Sequence, residues 1–193
     1  MNRICVFCGS SVGVQPIYAH AARQLGIEMV RRGIGLVYGG GNVGLMGVIA
    51  NTVLDAGGQA IGIIPEDLVA KEIENRRLND LRVVKTMHER KALMSDLSDG
   101  FIALPGGFGT YDEFCEIVTW EQLGLHKKPC AMLNVAGFYD RMLTMFDHAT
   151  AEGFIRPVHR AMLIVSSDPA DLLNQMQNYQ PPAVEKWITR ADV

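Results

Sequence analysis

Short apolar runs alternate with helix-patterned stretches along almost the whole chain, and this alternation is the strongest constraint on what it can fold into. The runs cover residues 4–7, 35–38, 59–64, 81–85, 101–104, 130–135 and 162–165. Helical stretches are predicted over about 16–32, from beyond Gly47 to about 55, and over about 89–97, 111–123, 138–151 and 169–177. Pro16 suits a first helical turn, and Gly33 and Gly57-Gly58 suit helix ends. Short strands alternating with helices make a mostly parallel sheet with helices on both faces. Continuous apolar runs such as residues 60–64 fit strands buried on both sides. The expected class is therefore α/β, a doubly wound sheet of about seven strands. At 193 residues the chain is expected to form one domain, 1–193, with a core over about 3–178. The remainder, about 179–193, reads as a tail entered through Gln180-Pro181-Pro182 and containing Trp187.

Glycine is the compositional outlier, with 20 residues against 8 prolines. That excess points to tight loops between regular elements, not to low complexity. Ten of the glycines fall in three groups: Gly9 and Gly13; Gly39, Gly40, Gly41, Gly44 and Gly47; and Gly106, Gly107 and Gly109. Each group follows the carboxyl end of a predicted strand, which is where open α/β sheets bind ligands.

Several function classes fall away. A net charge of −3 gives no electrostatic case for nucleic acid or for an anionic membrane. No apolar run reaches the roughly 18 residues that a membrane span needs. The first residues enter a strand directly, without the features of a signal peptide. Cys5, Cys8, Cys115 and Cys130 are expected to be reduced thiols of a cytoplasmic protein. Cys5-x-x-Cys8 lies in a strand pattern and not at a helix start, and no second pair exists to complete a zinc site. The five histidines show no metal-ligand spacing. Neither a metal nor any other cofactor is expected.

Three motifs carry chemistry. Gly39-x-Gly41-x-x-Gly44 matches the dinucleotide fingerprint, but it follows the second strand and not the first. Glu66 is a poor ribose-binding acid beside Pro65. Close helix–strand packing is the plainer reading, with nicotinamide-cofactor binding as an alternative. Pro105-Gly106-Gly107-Phe108-Gly109-Thr110-Tyr111-Asp112-Glu113 says more. Glycines at a strand-to-helix junction let backbone N–H groups close on an anion, and the helix N-terminus adds positive potential. No Gly-Lys-Ser/Thr follows, so this is not a Walker loop. Thr110 and Glu113 also have capping-box spacing, so Glu113 reads equally as cap or catalyst. Finally, His88-Glu89-Arg90-Lys91 puts adjacent cations at a helix start, where they oppose the dipole. That favours an anionic ligand.

Together these motifs give the chain a family likeness. Phe7-Cys8-Gly9-Ser10, Gly39-Gly40-Gly41-x-x-Gly44-Leu45-Met46-Gly47, Met87-His88-x-Arg90-Lys91, Pro105-Gly106-Gly107-x-Gly109-Thr110-x-x-Glu113 and Trp120-x-Gln122-Leu123-Gly124-x-His126-x-Lys128-Pro129 stand in the order and spacing of the LOG ("Lonely guy") family. The resemblance spans residues 3–178. It implies a Rossmann-like fold, usually a homodimer, and phosphoribohydrolase activity. In that reaction a cytokinin riboside 5′-monophosphate, or in many bacterial members AMP, gives free base and ribose 5-phosphate. It implies catalytic roles for Arg90 and Glu113. It also implies substrate contacts from Glu72, Arg90, Lys91, Gly107, Phe108, Gly109, Thr110, Tyr111, Asp112, Glu113 and Thr119. The family has also carried the label lysine decarboxylase. That chemistry needs pyridoxal phosphate on a Schiff-base lysine, and the motifs include no such site.

The expected activity is thus hydrolysis of an N-glycosidic bond in a nucleoside 5′-monophosphate, with the Gly107–Thr110 loop holding the phosphate and Glu113 acting at the ribose. A non-catalytic nucleotide-binding protein would use the same glycine loops and is the main alternative.

Overall fold

The computed structural model describes residues 1–69, 75, 77–78 and 80–182. Within these residues the seven predicted strands form one parallel sheet. They are β1 (Arg3–Phe7), β2 (Gly35–Tyr38), β3 (Ala60–Pro65), β4 (Asp80–Val84), β5 (Gly100–Ala103), β6 (Cys130–Leu133) and β7 (Leu163–Ser166). Their order across the sheet is β4-β3-β2-β1-β5-β6-β7. The chain winds outward from β1 in one direction, then returns and winds outward in the other. The reversal falls between β1 and β5, which pair over Ile4↔Gly100 to Phe7↔Ala103. A doubly wound sheet has its ligand crevice at such a reversal.

Period-2 alternation divides the core into two layers. Ile4 and Val6 of β1, Leu36 and Tyr38 of β2, and Ile102 of β5 face one side. There they meet α1 (Pro16–Arg31), α2 (Gly44–Asp55) and α8 (Pro169–Gln177) through Leu25, Ile49 and Leu172. Cys5 and Phe7, Val37 and Phe101 face the other side. They pack on α4 (Met87–Asp96) and α5 (Phe108–Gln122) through Met94, Phe114 and Ile117. Cys5 and Cys8 belong to opposite layers, because residues three apart on an extended chain point opposite ways. That is the physical reason the Cys-x-x-Cys spacing makes no pair here; all four thiols are free.

The elements depart from the predicted pattern mainly at their ends. The polar stretch after β3 is not wholly irregular, since α3 (Glu66–Val69) opens it. The sixth strand stops at Leu133, and a 3-10 turn over Val135–Gly137 follows, with Ala136 at φ 50°. Asn134 organises this turn by accepting from Tyr139 N–H at 2.8 Å and donating to Asp140 at 2.7 Å. Consequently α6 spans Asp140–Ala151. A short helix without a predicted counterpart, α7 (Pro157–Arg160), precedes β7. Beyond α8, the Tyr179 hydroxyl donates to buried Glu121 in the last turn of α5 at 2.5 Å. Residues 183–193 of the predicted tail, including Trp187, lie outside the described residues. Among the described residues no helix is long and apolar enough to cross a membrane.

The layer of α1 and α8 is joined by charge as well as by packing. Glu28 accepts from Arg31 at 2.8 and 2.6 Å and from Arg32 at 2.7 Å, and Arg32 continues to Asn174 and to the Ala170 carbonyl. Hydrogen bonds from Arg31 lower the Glu28 pKa against the opposing effect of burial, with Arg32 adding to the lowering, to about 2. A depressed carboxyl pKa stabilises the fold above its unfolded value and loses that contribution as pH falls through the folded one. Glu28→Gln is therefore expected to lower Tm at pH 7 by a few degrees, the shift that about 1 kcal/mol produces in a chain of this size. Thermal unfolding followed by circular dichroism should show the difference shrinking below about pH 4 and closing near pH 2.

Candidate active site

Three backbone segments meet at the carboxyl ends of the central strands, and glycine makes the meeting possible. The Gly9 N–H, just after β1, donates to the Pro105 carbonyl after β5 at 3.1 Å. The Leu45 N–H, in the first turn of α2, donates to the Gly9 carbonyl at 3.0 Å. A Cβ on Gly44, which sits at φ 58°, would run into the backbone of Ser10 and Ser11. One on Gly106 would overlap the Thr110 side chain and approach Gly9 N to 2.9 Å. The loops after β1, β2 and β5 are thus packed backbone to backbone, which only glycine allows.

The Gly39-x-Gly41-x-x-Gly44 segment gains a role distinct from dinucleotide binding. Arg90 reaches from α4 across the carboxyl end of β2, where its Nη2 donates to the Gly39 carbonyl at 3.2 Å. A Cβ on Gly39 would occupy the guanidinium's place. Arg90 is only 4% exposed, and its Nη1 lies 3.8 Å from Met87 Sδ. A buried charge needs compensation, and the glycine loop supplies part of it. The helix bearing Arg90 starts with a true capping pair. Thr86 Oγ1 accepts from Glu89 N–H at 3.1 Å, and Glu89 Oε2 accepts from Lys85 N–H at 2.8 Å.

The capping box predicted for Thr110 and Glu113 does not form. Helix α5 begins at Phe108 with Gly107 as its N-cap, and no side chain caps it. Thr110 lies inside the helix and is buried against Gly106. Glu113 falls in the second turn, too far along to cap, so the cap reading of this residue is overturned. The same observation corrects its predicted place in the first helical turn. The N-terminus itself is open: positions for a Cβ on Gly107 and Gly109 face empty space, and Phe108 is 92% exposed. The first N–H groups of a helix have no partner within the helix, so this end is suited to an anion.

Arg90 and Glu113 converge. Burial, then the charge of Glu113, raises the pKa values of the Cys5 and Cys8 thiols, while the charge of Arg90 lowers them. Opposite charges from α4 and α5 thus both act at the end of β1, where β1 and β5 diverge. Cys8, part of a motif but not predicted as a site residue, feels both charges. No sequence signal marked it, because which charges reach the end of β1 depends on how helices distant in the chain fold onto the sheet.

Other predicted residues are placed differently. The Lys91 Nζ lies 2.7 Å from Glu116 Oε2 and 3.2 Å from Asp112 Oδ2. Its two carboxylates are part of the chain, so the unexplained cation at the helix start has an internal partner. Burial works against the ammonium, but Glu116 and Asp112 outweigh it and raise the Lys91 pKa. That is the opposite of what a Schiff-base lysine needs. Tyr111 is half-buried and meets Tyr139 edge-on at 6.4 Å. Thr119 donates to the Cys115 carbonyl at 2.7 Å. At 1.5 Å per residue it lies roughly 16 Å along α5 from the open N-terminus, so one chain alone does not bring it to the loop. Glu72 lies outside the described residues. A separate hollow of about 570 Å³ opens at the amino-terminal end of the sheet, between Asn2, Arg3, Gly33, Gly35 and Gly58. Among the described residues Arg3 is the only charged group lining it, and no pair of opposed charges faces it.

Comparison with known proteins agrees with this architecture. A family model described as "possible lysine decarboxylase" matches residues 46–176. A probable cytokinin riboside 5′-monophosphate phosphoribohydrolase of Oryza sativa subsp. japonica is 51% identical over 178 residues, covering 92% of this chain and 80% of that one. A cytokinin riboside 5′-monophosphate phosphoribohydrolase of Arabidopsis thaliana is 48% identical over 180 residues, 93% of this chain and 83% of its own. The chain belongs to the LOG family. The decarboxylase description is a misnomer for a family whose relatives are named as hydrolases of an N-glycosidic bond. Among solved structures, the molybdenum cofactor binding protein of Rippkaea orientalis aligns with a TM-score of 0.70 at 22% identity, covering 92% of this chain and 96% of that one. The molybdenum cofactor carrier protein of Chlamydomonas reinhardtii aligns at 0.69 and 19%, covering 92% and 99%. At those identities the likeness shows the Rossmann-like fold alone.

Two glycines of this site should respond differently to one methyl group. Gly39→Ala displaces the Arg90 guanidinium and is expected to cost about 1–3 kcal/mol, as overpacking does. Gly107→Ala points into open space and is expected to cost less than about 1 kcal/mol, the preference of an N-cap for Gly over Ala. Urea unfolding of the two variants checks both.

Proposed function

We propose that this LOG-family chain hydrolyses the N-glycosidic bond of a purine riboside 5′-monophosphate, either a cytokinin riboside monophosphate or AMP. The products are the free base and ribose 5-phosphate. The observation that carries the reading is the convergence of Arg90 and Glu113 on the end of β1, beside the uncapped N-terminus of α5. The relatives named as phosphoribohydrolases, at about half identity over nearly the whole chain, support the same chemistry.

In this mechanism the 5′-phosphate lies against the backbone N–H groups at Gly107, Phe108, Gly109 and Thr110, where the helix dipole favours an anion. The ribose then lies toward Glu113. As the bond between C1′ and the base nitrogen breaks, its electron pair leaves with the base and positive charge builds on the ribose ring. The Glu113 carboxylate stabilises that charge and accepts a proton from the attacking water, whose oxygen bonds to C1′. A proton returned to the base completes the products. Arg90, rigid on Gly39, positions Glu113 or the substrate. Exposed Phe108 and Met87 supply apolar surface near the mouth of the site. No cofactor enters this chemistry.

We also propose a cytoplasmic homodimer. Four free thiols fit a reducing compartment. Met145, Phe154 and Leu125, 64–80% exposed, provide apolar surface for a second copy. Light scattering at micromolar concentration checks the dimer, and a monomer at all concentrations would reject it.

The enzymatic reading is tested by incubating the protein with AMP and with isopentenyladenosine 5′-monophosphate and separating the products chromatographically. The wild type is expected to release base and ribose 5-phosphate. Glu113→Gln keeps the shape but not the charge, and is expected to lower kcat by on the order of 10²–10⁴. Arg90→Ala is expected to lower turnover without unfolding the chain. Nucleotide binding without any release of base would instead identify a non-catalytic binding protein. Turnover by Glu113→Gln at the wild-type rate would remove Glu113 from catalysis.

A further inference from the structure

The two consecutive cations of α4 point to different places. Arg90 goes into the site and onto Gly39. Lys91, about 100° further around the helix, reaches sideways to α5. There its ammonium lies between Asp112, at 3.2 Å, and Glu116, at 2.7 Å. These carboxylates are four residues apart, so they lie on one face of α5, and they bracket Glu113 in sequence. The Lys91 side chain is only 11% exposed and Glu116 is 27% exposed. Solvent therefore screens this contact less than an ordinary surface pair.

We propose that Lys91 is a positioning residue, an ionic clamp between α4 and α5 that sets the separation of Arg90 and Glu113. The assignment rests on the hydrolase reading above and departs from a role for Lys91 as a substrate contact. Two carboxylates on one ammonium leave the trio with a net negative charge. A phosphate dianion brought to Lys91 would have to displace one carboxylate and would be repelled by the other. The open N-terminus of α5 offers the phosphate a site without that competition. The clamp also fixes rotation. Arg90 holds α4 at Gly39 and Lys91 holds it at α5, so the helix cannot turn about its axis without breaking one of them. The Asp112–Glu116 turn is held by the same contact, and Glu113 lies within it.

Clamp and anchor predict different kinetics. If Lys91 is a clamp, Lys91→Met lowers kcat about tenfold or more, while KM for AMP and Kd for ribose 5-phosphate stay within about threefold. Glu116→Gln lowers kcat in the same direction. The charge-exchanged double variant, Lys91→Glu with Glu116→Lys, recovers most of the lost kcat. If Lys91 binds phosphate, Lys91→Met instead raises KM and weakens ribose 5-phosphate binding by about tenfold or more. Glu116→Gln then frees the lysine and tightens binding, and the exchanged variant stays inactive. That second set of results would overturn the clamp. Should the exchanged variant fail to fold, the opposite signs expected for Glu116→Gln still decide between the two. A wild type that releases no base would reject the hydrolase reading. The clamp then stands or falls on a thermal double-mutant cycle of Lys91→Met and Glu116→Gln: non-additive Tm losses support it, and additive losses reject it.

Discussion

The hydrogen bond from Gly9 to the Pro105 carbonyl joins the two halves of the molecule where their winding directions diverge. β1 and β5 are neighbours in space but 97 residues apart at their starts, Arg3 and Gly100. Their loops leave the sheet toward opposite layers, to α1 on one side and α5 on the other. Between them any ordinary α/β sheet opens a crevice. Here the crevice floor is backbone on backbone, with Gly44 and Gly106 in places where a side chain would collide and Gly9 in one where it would be crowded. Everything chemical in the site is placed relative to that floor.

Arg90 shows how the floor becomes a site. A guanidinium 4% exposed needs polar partners at its buried end. The Gly39 carbonyl provides one because β2 ends there and because glycine leaves room beside it. The capping pair of Thr86 and Glu89 fixes where α4 begins, and hence which residue faces the floor. On α5 the opposite choice has been made. Its N-terminus carries no side-chain cap, leaving unsatisfied N–H groups for a ligand at some cost in helix stability. One helix start is closed and holds a side chain in place, and the other is open, which is where the proposed function puts the phosphate.

The strands were legible because parallel strands buried on both faces must be continuously apolar, and residues 60–64 or 101–104 admit few other readings. The glycine groups were legible as loops at the carboxyl ends of those strands. One feature misled, and another concealed its partners. Thr110-x-x-Glu113 carries capping-box spacing, yet the helix had already begun at Phe108, because glycine at 107 serves as N-cap without a side chain. The cations at 90 and 91 suggested an external anion, because the carboxylates that answer Lys91 lie more than 20 residues away on another helix. Spacing along a chain carries no information about such partners.

The sequence by itself determined the layer architecture, the number of strands and the glycine loops at their carboxyl ends, since these follow from local periodicity and the positions of the glycines. Only the tertiary structure decided what each candidate residue faces. It assigned Arg90 to the Gly39 carbonyl, Lys91 to Asp112 and Glu116, and Glu113 to the second turn of an uncapped helix. It also brought the Cys8 thiol under the influence of both Glu113 and Arg90. The physical reason is that electrostatic partnership depends on distance in space. In a doubly wound sheet the residues that meet at the reversal come from strands and helices far apart in the chain.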